Sequence, residues 1–173
     1  MEASRMLPRG AGLIACVGAT ILAMAASAQP AGPAANTAPP AANTPEPFVP
    51  EIGEIMMFQQ LRHGKLWFAG RAGNWPLAAY EVKELREGFE SVSKYYPTFN
   101  NVPLAQMIDT IRDSNLAELD KAVEAHDRAQ FARAFDGLTQ ACNGCHQASE
   151  LGFISIRRPT APPFSNQAFA PRK

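Results

Sequence analysis

From about residue 50 onward, apolar residues recur at spacings of three and four, which keeps them on one face of an α-helix. The first stripe is Ile52, Met56, Gln59, His63, Leu66 and Gly70. It predicts a helix over roughly 50–69, broken by Gly70-Arg71-Ala72-Gly73. Asn74 suits the N-cap of a second helix and Pro76 its first turn. That helix carries Ala78, Val82, Leu85, Phe89, Val92 and Tyr96 on one face, and Pro97 ends it. A polar turn, Thr98 to Asn101, leads to Pro103 and a third helix. There Leu104, Ile108 and Ile111 share one face, while Leu116, Leu119 and Val123 share another. The phase slips around Asp113-Ser114-Asn115, which predicts a kink or two short helices. Asp127 resembles an N-cap, with Gln130 three residues on as in a capping box. The fourth helix carries Phe131, Phe135, Leu138, Cys142 and Cys145, so both cysteines face the core. Four amphipathic helices without a strand pattern predict an all-α, antiparallel four-helix bundle.

Composition marks off the two ends. Residues 29–47 are almost wholly Ala, Pro, Asn and Thr, too poor in apolar surface to offset the entropy of ordering them. They read as a tether. Residues 153–173 are Pro-rich and read as an irregular tail, which leaves 48–152 as the helical domain. The first 28 residues have the form of an export signal: Arg5 and Arg9, then an apolar run from Ala11 to Ala26, then Ala26-Ser27-Ala28 as a cleavage site. The run falls short of the roughly 20 apolar residues of a membrane span. The stretch Leu13-Ile14-Ala15-Cys16 offers a rival reading as a lipoprotein box, but the apolar run continues past Cys16. Cleavage after Ala28 places the mature chain in the periplasm and leaves Cys142 and Cys145 as its only cysteines. It also removes Arg5, Arg9 and Glu2 from 16 basic and 16 acidic residues, leaving one acidic residue in excess. That balance is not the dense basic footprint of a nucleic-acid binder.

The chemistry is concentrated in Cys142-Asn143-Gly144-Cys145-His146. Two thiols three positions apart can add to the two vinyl groups of one porphyrin, and the adjacent imidazole can reach its iron; Cys-x-x-Cys-His is the c-type haem attachment pattern. A zinc site would need two more ligands, and only His63 and His126 remain, far apart in sequence. A redox dithiol prefers a thioredoxin-like βαβ setting. A disulfide closing so short a loop would stabilise little. The expected cofactor is therefore one covalent haem c near the C-terminal end of the last helix. Cys142 and Cys145 would carry it, with His146 as axial iron ligand. No Met or His follows His146, and the last Met is Met107. A sixth protein ligand must come from before the motif, which excludes the ordinary small cytochrome c arrangement.

A single Cys-x-x-Cys-His near the end of the last of four helices resembles cytochrome c′ and its low-spin relatives. The resemblance covers roughly residues 50–150 as architecture, and its one sharp motif is Cys142-x-x-Cys145-His146. It implies that the first helix packs the far side of the haem. That side is open to small gases in high-spin members and occupied by Met in low-spin ones. The stretch "WFAGRAGNW" and the Pro-rich tail lie outside the resemblance. On the first helix, His63 is one candidate sixth ligand and Met56, with Met57 beside it, the alternative. His126 precedes the fourth helix by 20 residues from His146, about 30 Å of helix, and is too distant. Arg62, Lys65 and Arg71 could meet a propionate or form a solvated face. Trp67, Phe68, Trp75 and Tyr80 could pack the haem edge or the corner between the first two helices. The alternating charges of "EVKELREGFE" read as an exposed face.

Three function classes follow. An electron carrier exchanging electrons with a redox partner protein needs no catalytic acid, base or nucleophile, and none is assembled here. A gas-binding or gas-sensing protein needs an open or displaceable sixth position for a small gas ligand. A peroxidase-like enzyme needs a distal acid–base group, for which His63 is the one candidate. A homodimer is compatible with such a bundle, although no exposed apolar stripe singles out a dimer face.

Overall fold

The structure, a computed structural model, describes residues 47–172. The expected export segment 1–28, with Cys16, and all but the last residue of the expected tether 29–47 lie outside the described residues. The described chain is all-helical: α1 Ile52–Ala72, α2 Trp75–Tyr95, α3 Leu104–Thr110, a π-helical segment Ile111–Leu116, α4 Ala117–Glu124 and α5 Arg128–Ala148. Because α3, the π segment and α4 form one unbroken run, there are four rods. Among the described residues no strand forms; Phe99 and Val102 make one isolated bridge.

The capping chemistry sets the boundaries. α1 runs past Gly70 and stops at Gly73, whose φ of 73° gives the left-handed cap that glycine adopts freely. The expected break at Gly70 is therefore three residues early. Gly70 serves packing instead: a Cβ there would lie 2.2 Å from the Phe131 ring. Gly70→Ala should overpack this contact and cost about 1–3 kcal/mol in a urea titration. The Asn74 side chain accepts from the Leu77 N–H at 3.3 Å and starts α2. Asp127 accepts from the N–H groups of Ala129 and Gln130 and starts α5. The reciprocal half of the expected capping box is not needed, because the Asp127 N–H already donates to the Ala122 carbonyl. In the turn before α3, Asn100 and Asn101 both have positive φ. Asparagine tolerates that conformation better than most residues do.

The phase slip in the third rod is taken up without a break. A π turn spaces hydrogen bonds by five residues, and Ile111 and Leu116, five apart, are both buried. The faces of α3 and α4 thus remain on one core with Leu104, Ile108, Leu119 and Val123. α1 and α2 are joined by Gln59 Nε2 to the Leu85 carbonyl, Arg62 to Glu84, and Lys65 to Glu81. α2 and the third rod are joined by Arg86–Asp120, Arg112–Glu90 and Ser93–Asp109. So much of "EVKELREGFE" faces neighbouring helices, not solvent. Glu81 is fully buried, and only Lys83–Glu87 is an exposed pair of the expected kind.

The Pro-rich tail has no helix, as expected, yet it is docked on the helices. Arg158 pairs with Asp136 and lies 4.6 Å from the Trp67 ring centre. Pro163 lies over Gly64, where an added Cβ would meet its ring at 3.7 Å, and Phe169 packs on Phe68 at 5.6 Å.

Candidate functional site

The start of α1 and the end of α5 meet around a cavity of about 300 Å³. This is the small end of the usual range for ligand sites. α1 contributes Met56, Met57 and His63 to its wall, and α5 contributes Cys142, Cys145 and His146. The three motif residues and the sixth-ligand candidates Met56, Met57 and His63 therefore border one space. The rest of the wall is mainly apolar, with Leu85, Phe89 and Ile108 on the far side. Leu151, just beyond α5, and Ile154 and Ile156 of the tail complete it, and no periodic signal had pointed to them. The Asn100 side chain donates to the Ser149 carbonyl at 2.8 Å, tying the turn that carries Phe99 to the end of α5.

Cys142 and Cys145 are free thiols on helical backbone. Burial pushes the Cys142 thiol up to about 12, and burial also raises Cys145. Reactive dithiols are the reverse case: their thiolates are favoured at helix N-termini or beside cations. This pair sits in the last turns of α5, where the helix dipole opposes negative charge. Burial thus disfavours both thiolates, the reverse of what a redox dithiol uses. Among the described residues, no three His, Cys, Asp or Glu side chains converge as a metal-binding set. Ser149 is buried against the cavity, and its hydroxyl has no partner other than the weak one offered by the Cys145 thiol.

The two histidines are prepared differently. His146 Nδ1 lies 2.9 Å from the Ile154 carbonyl. A carbonyl can only accept, so the proton is on Nδ1 and the lone pair on Nε2. This is the tautomer and orientation that a backbone carbonyl imposes on a ligating imidazole. His63 is buried, and its Nε2 lies 2.8 Å from Thr139 Oγ1. That hydroxyl already donates to the Phe135 carbonyl at 2.9 Å, so it accepts from His63. Burial lowers the His63 imidazole to about 4, leaving it neutral near pH 7. Its ring lies 4.3 Å from that of Phe135. His63 thus has its Nε2–H committed to a neighbouring helix, which leaves the lone pair on Nδ1. Met56 is half-buried with no polar engagement, and Met57 is 59% exposed.

The remaining candidates fall away from the cavity. Arg62 and Lys65 are held by Glu84 and Glu81, and Arg71 lies over Trp67. Trp67 packs on Phe135 and Phe131, while Trp75 stacks on His126 at 5.4 Å. These aromatics fill the core and the corner between helices, and Tyr80 is half-exposed beside Lys65. His126, with φ of 54°, is a turn residue. The donor set is two thiols, an imidazole presenting Nε2 and apolar walls, which a porphyrin bearing two vinyl groups would fit. No protein-family model, curated protein or solved structure matches the chain.

Proposed function

We propose that the chain is an exported, monohaem c-type cytochrome of the antiparallel four-helix type, working in the periplasm as an electron carrier between partner proteins. The observation that carries this reading is one apolar cavity shared by Cys142, Cys145 and His146 on one side and Met56 and His63 on the other. Cys142 and Cys145 would hold the haem through thioethers, and His146 would offer Nε2 to the iron. When bound, haem supplies a one-electron ferrous–ferric couple, whose potential follows axial ligation and burial.

The helix register favours Met56 over His63 as the sixth ligand. His63 pairs with Thr139, Trp67 packs on Phe135, and Gly70 abuts Phe131. Seven residues back from His63 is Met56, and seven on from Thr139 is His146. Met56 is therefore level with His146, while His63 lies about 10 Å further along α1. A Met–His pair suits a carrier, because it raises the potential. His63 then holds Thr139 and the end of α5 in place. The second reading, a gas-binding protein, requires that Met56 be absent from the sixth position or readily displaced.

The test is the mass and absorption spectrum of protein made in cells that attach haem. The mature chain should carry the mass of one haem and give a low-spin reduced spectrum unchanged by carbon monoxide. Met56→Ala should turn high-spin and take up the gas, whereas His63→Ala should remain low-spin. A wild-type spectrum that shifts at once with carbon monoxide replaces the carrier with the gas binder. A bare polypeptide mass ends both readings.

A further inference from the structure

Asn143, one of the two spacer residues between the cysteines, makes a two-point clamp on the tail. Its Nδ2 donates to the Ile156 carbonyl at 2.9 Å, and its Oδ1 accepts from the Ile156 N–H at 2.7 Å. Both ends of one amide thus read both polar groups of one backbone residue, thirteen positions away. Two residues before Ile156 is Ile154, whose carbonyl meets His146 Nδ1. The loop between is short and internally closed, by Leu151 N–H to the His146 carbonyl and Ile154 N–H to the Leu151 carbonyl. The carbonyl that fixes the His146 tautomer is thereby anchored from both sides: by α5 itself at Leu151 and by Asn143 at Ile156.

We infer that Asn143 is a positioning residue for His146. Through Ile156 it holds the Ile154 carbonyl on Nδ1, so that the proton stays on Nδ1 and Nε2 remains free and directed. The role of His146 as iron ligand rests on the proposed cytochrome; the clamp does not. In the loaded protein, a carbonyl accepting from Nδ1 makes the imidazole a stronger donor and favours the ferric state. Loss of the clamp should therefore raise the midpoint potential.

The experiment uses full-length mature protein labelled with ¹⁵N at histidine, and reads the Nδ1–H signal of His146 and its exchange with solvent. Wild type should show a protected Nδ1–H. Asn143→Ala should speed its exchange at least tenfold and raise the midpoint potential, with an unchanged far-ultraviolet circular dichroism spectrum. Arg158→Ala loosens the tail two residues beyond Ile156 without touching the clamp, and should change exchange less than twofold. Equal acceleration in both variants, or none in Asn143→Ala, overturns the assignment. Should Asn143→Ala not fold, Asn143→Asp keeps the acceptor for the Ile156 N–H, sets a carboxylate oxygen against the Ile156 carbonyl in place of the donor, and must still accelerate exchange. If mass shows no haem, the cytochrome reading falls while the exchange comparison still decides the clamp.

Discussion

Lys65→Met should cost about 3 kcal/mol at pH 7 in a denaturant titration, and most of that loss should be recovered by adding Glu81→Leu. Glu81 is fully buried, and Lys65, at 2.5 Å and 18% exposed, is the one counter-charge in contact with it among the described residues. Breaking a buried pair from one side strands a charge, at a cost of roughly 3–5 kcal/mol. The partial exposure of Lys65 puts the expectation at the lower end. Replacing both partners by apolar groups removes the stranded charge, and such replacements are often neutral. The pH dependence has a definite sign. Burial already raises Glu81 above its ordinary value of 4.5, with Lys65 opposing the rise. Without Lys65 the folded-state value climbs further. A raised carboxylate favours folding below its unfolded value and loses that advantage as pH rises through the folded one. The deficit of Lys65→Met should therefore shrink as pH falls toward 4.5. A deficit independent of pH would show that Glu81 is not the group responsible.

The second large effect is Phe135→Ala, expected to cost about 3–5 kcal/mol, as large-to-small aromatic changes in cores do. Phe135 is wholly buried between His63 at 4.3 Å, Trp67 at 4.8 Å and Phe131 at 6.1 Å. These rings cannot collapse into the vacated space easily, because Gly70 and Trp75 already hold Phe131 from its other sides. The same change removes the surface under His63, which should weaken its bond to Thr139. Equilibrium unfolding of Phe135→Ala and Phe135→Leu separates the two contributions: the leucine variant should retain most of the stability. A loss below 1 kcal/mol in Phe135→Ala would mean that the cluster repacks.

Much of this architecture is legible in the bare sequence, because it depends on local rules. Apolar spacing along the chain places Val82, Leu85, Phe89, Leu138 and the two cysteines inward, and the Asn74 and Asp127 caps follow from side-chain chemistry near their own backbone. The irregular phase near Ser114 is visible too, though not its form as a π turn, since a shift of register does not say whether the backbone breaks or widens. What escapes is pairwise and distant. Glu81 looks like a surface charge until Lys65 is found beside it on another helix. His63 reads as a candidate iron ligand, and its partner Thr139, 76 residues away, is not visible in the spacing. The tail reads as unstructured because its order comes from Asn143, Asp136 and Trp67 on α1 and α5, not from any repeat of its own. At the site, Cys142, Cys145 and His146 announce themselves by spacing, whereas the choice between Met56 and His63 needs the helix register.

The widened turn at Ile111–Leu116 has a consequence for how this chain can vary in length. A regular helix one residue shorter would carry the Leu104, Ile108, Ile111 seam onward without interruption, so the rod holds one surplus residue in a loop of its own wall. Asp113 and Ser114, at the bulge, are exposed. The third rod is thus the place where a single-codon deletion would meet the least resistance, while the same event in α1 or α5 would rotate Met56 or the cysteines away from each other.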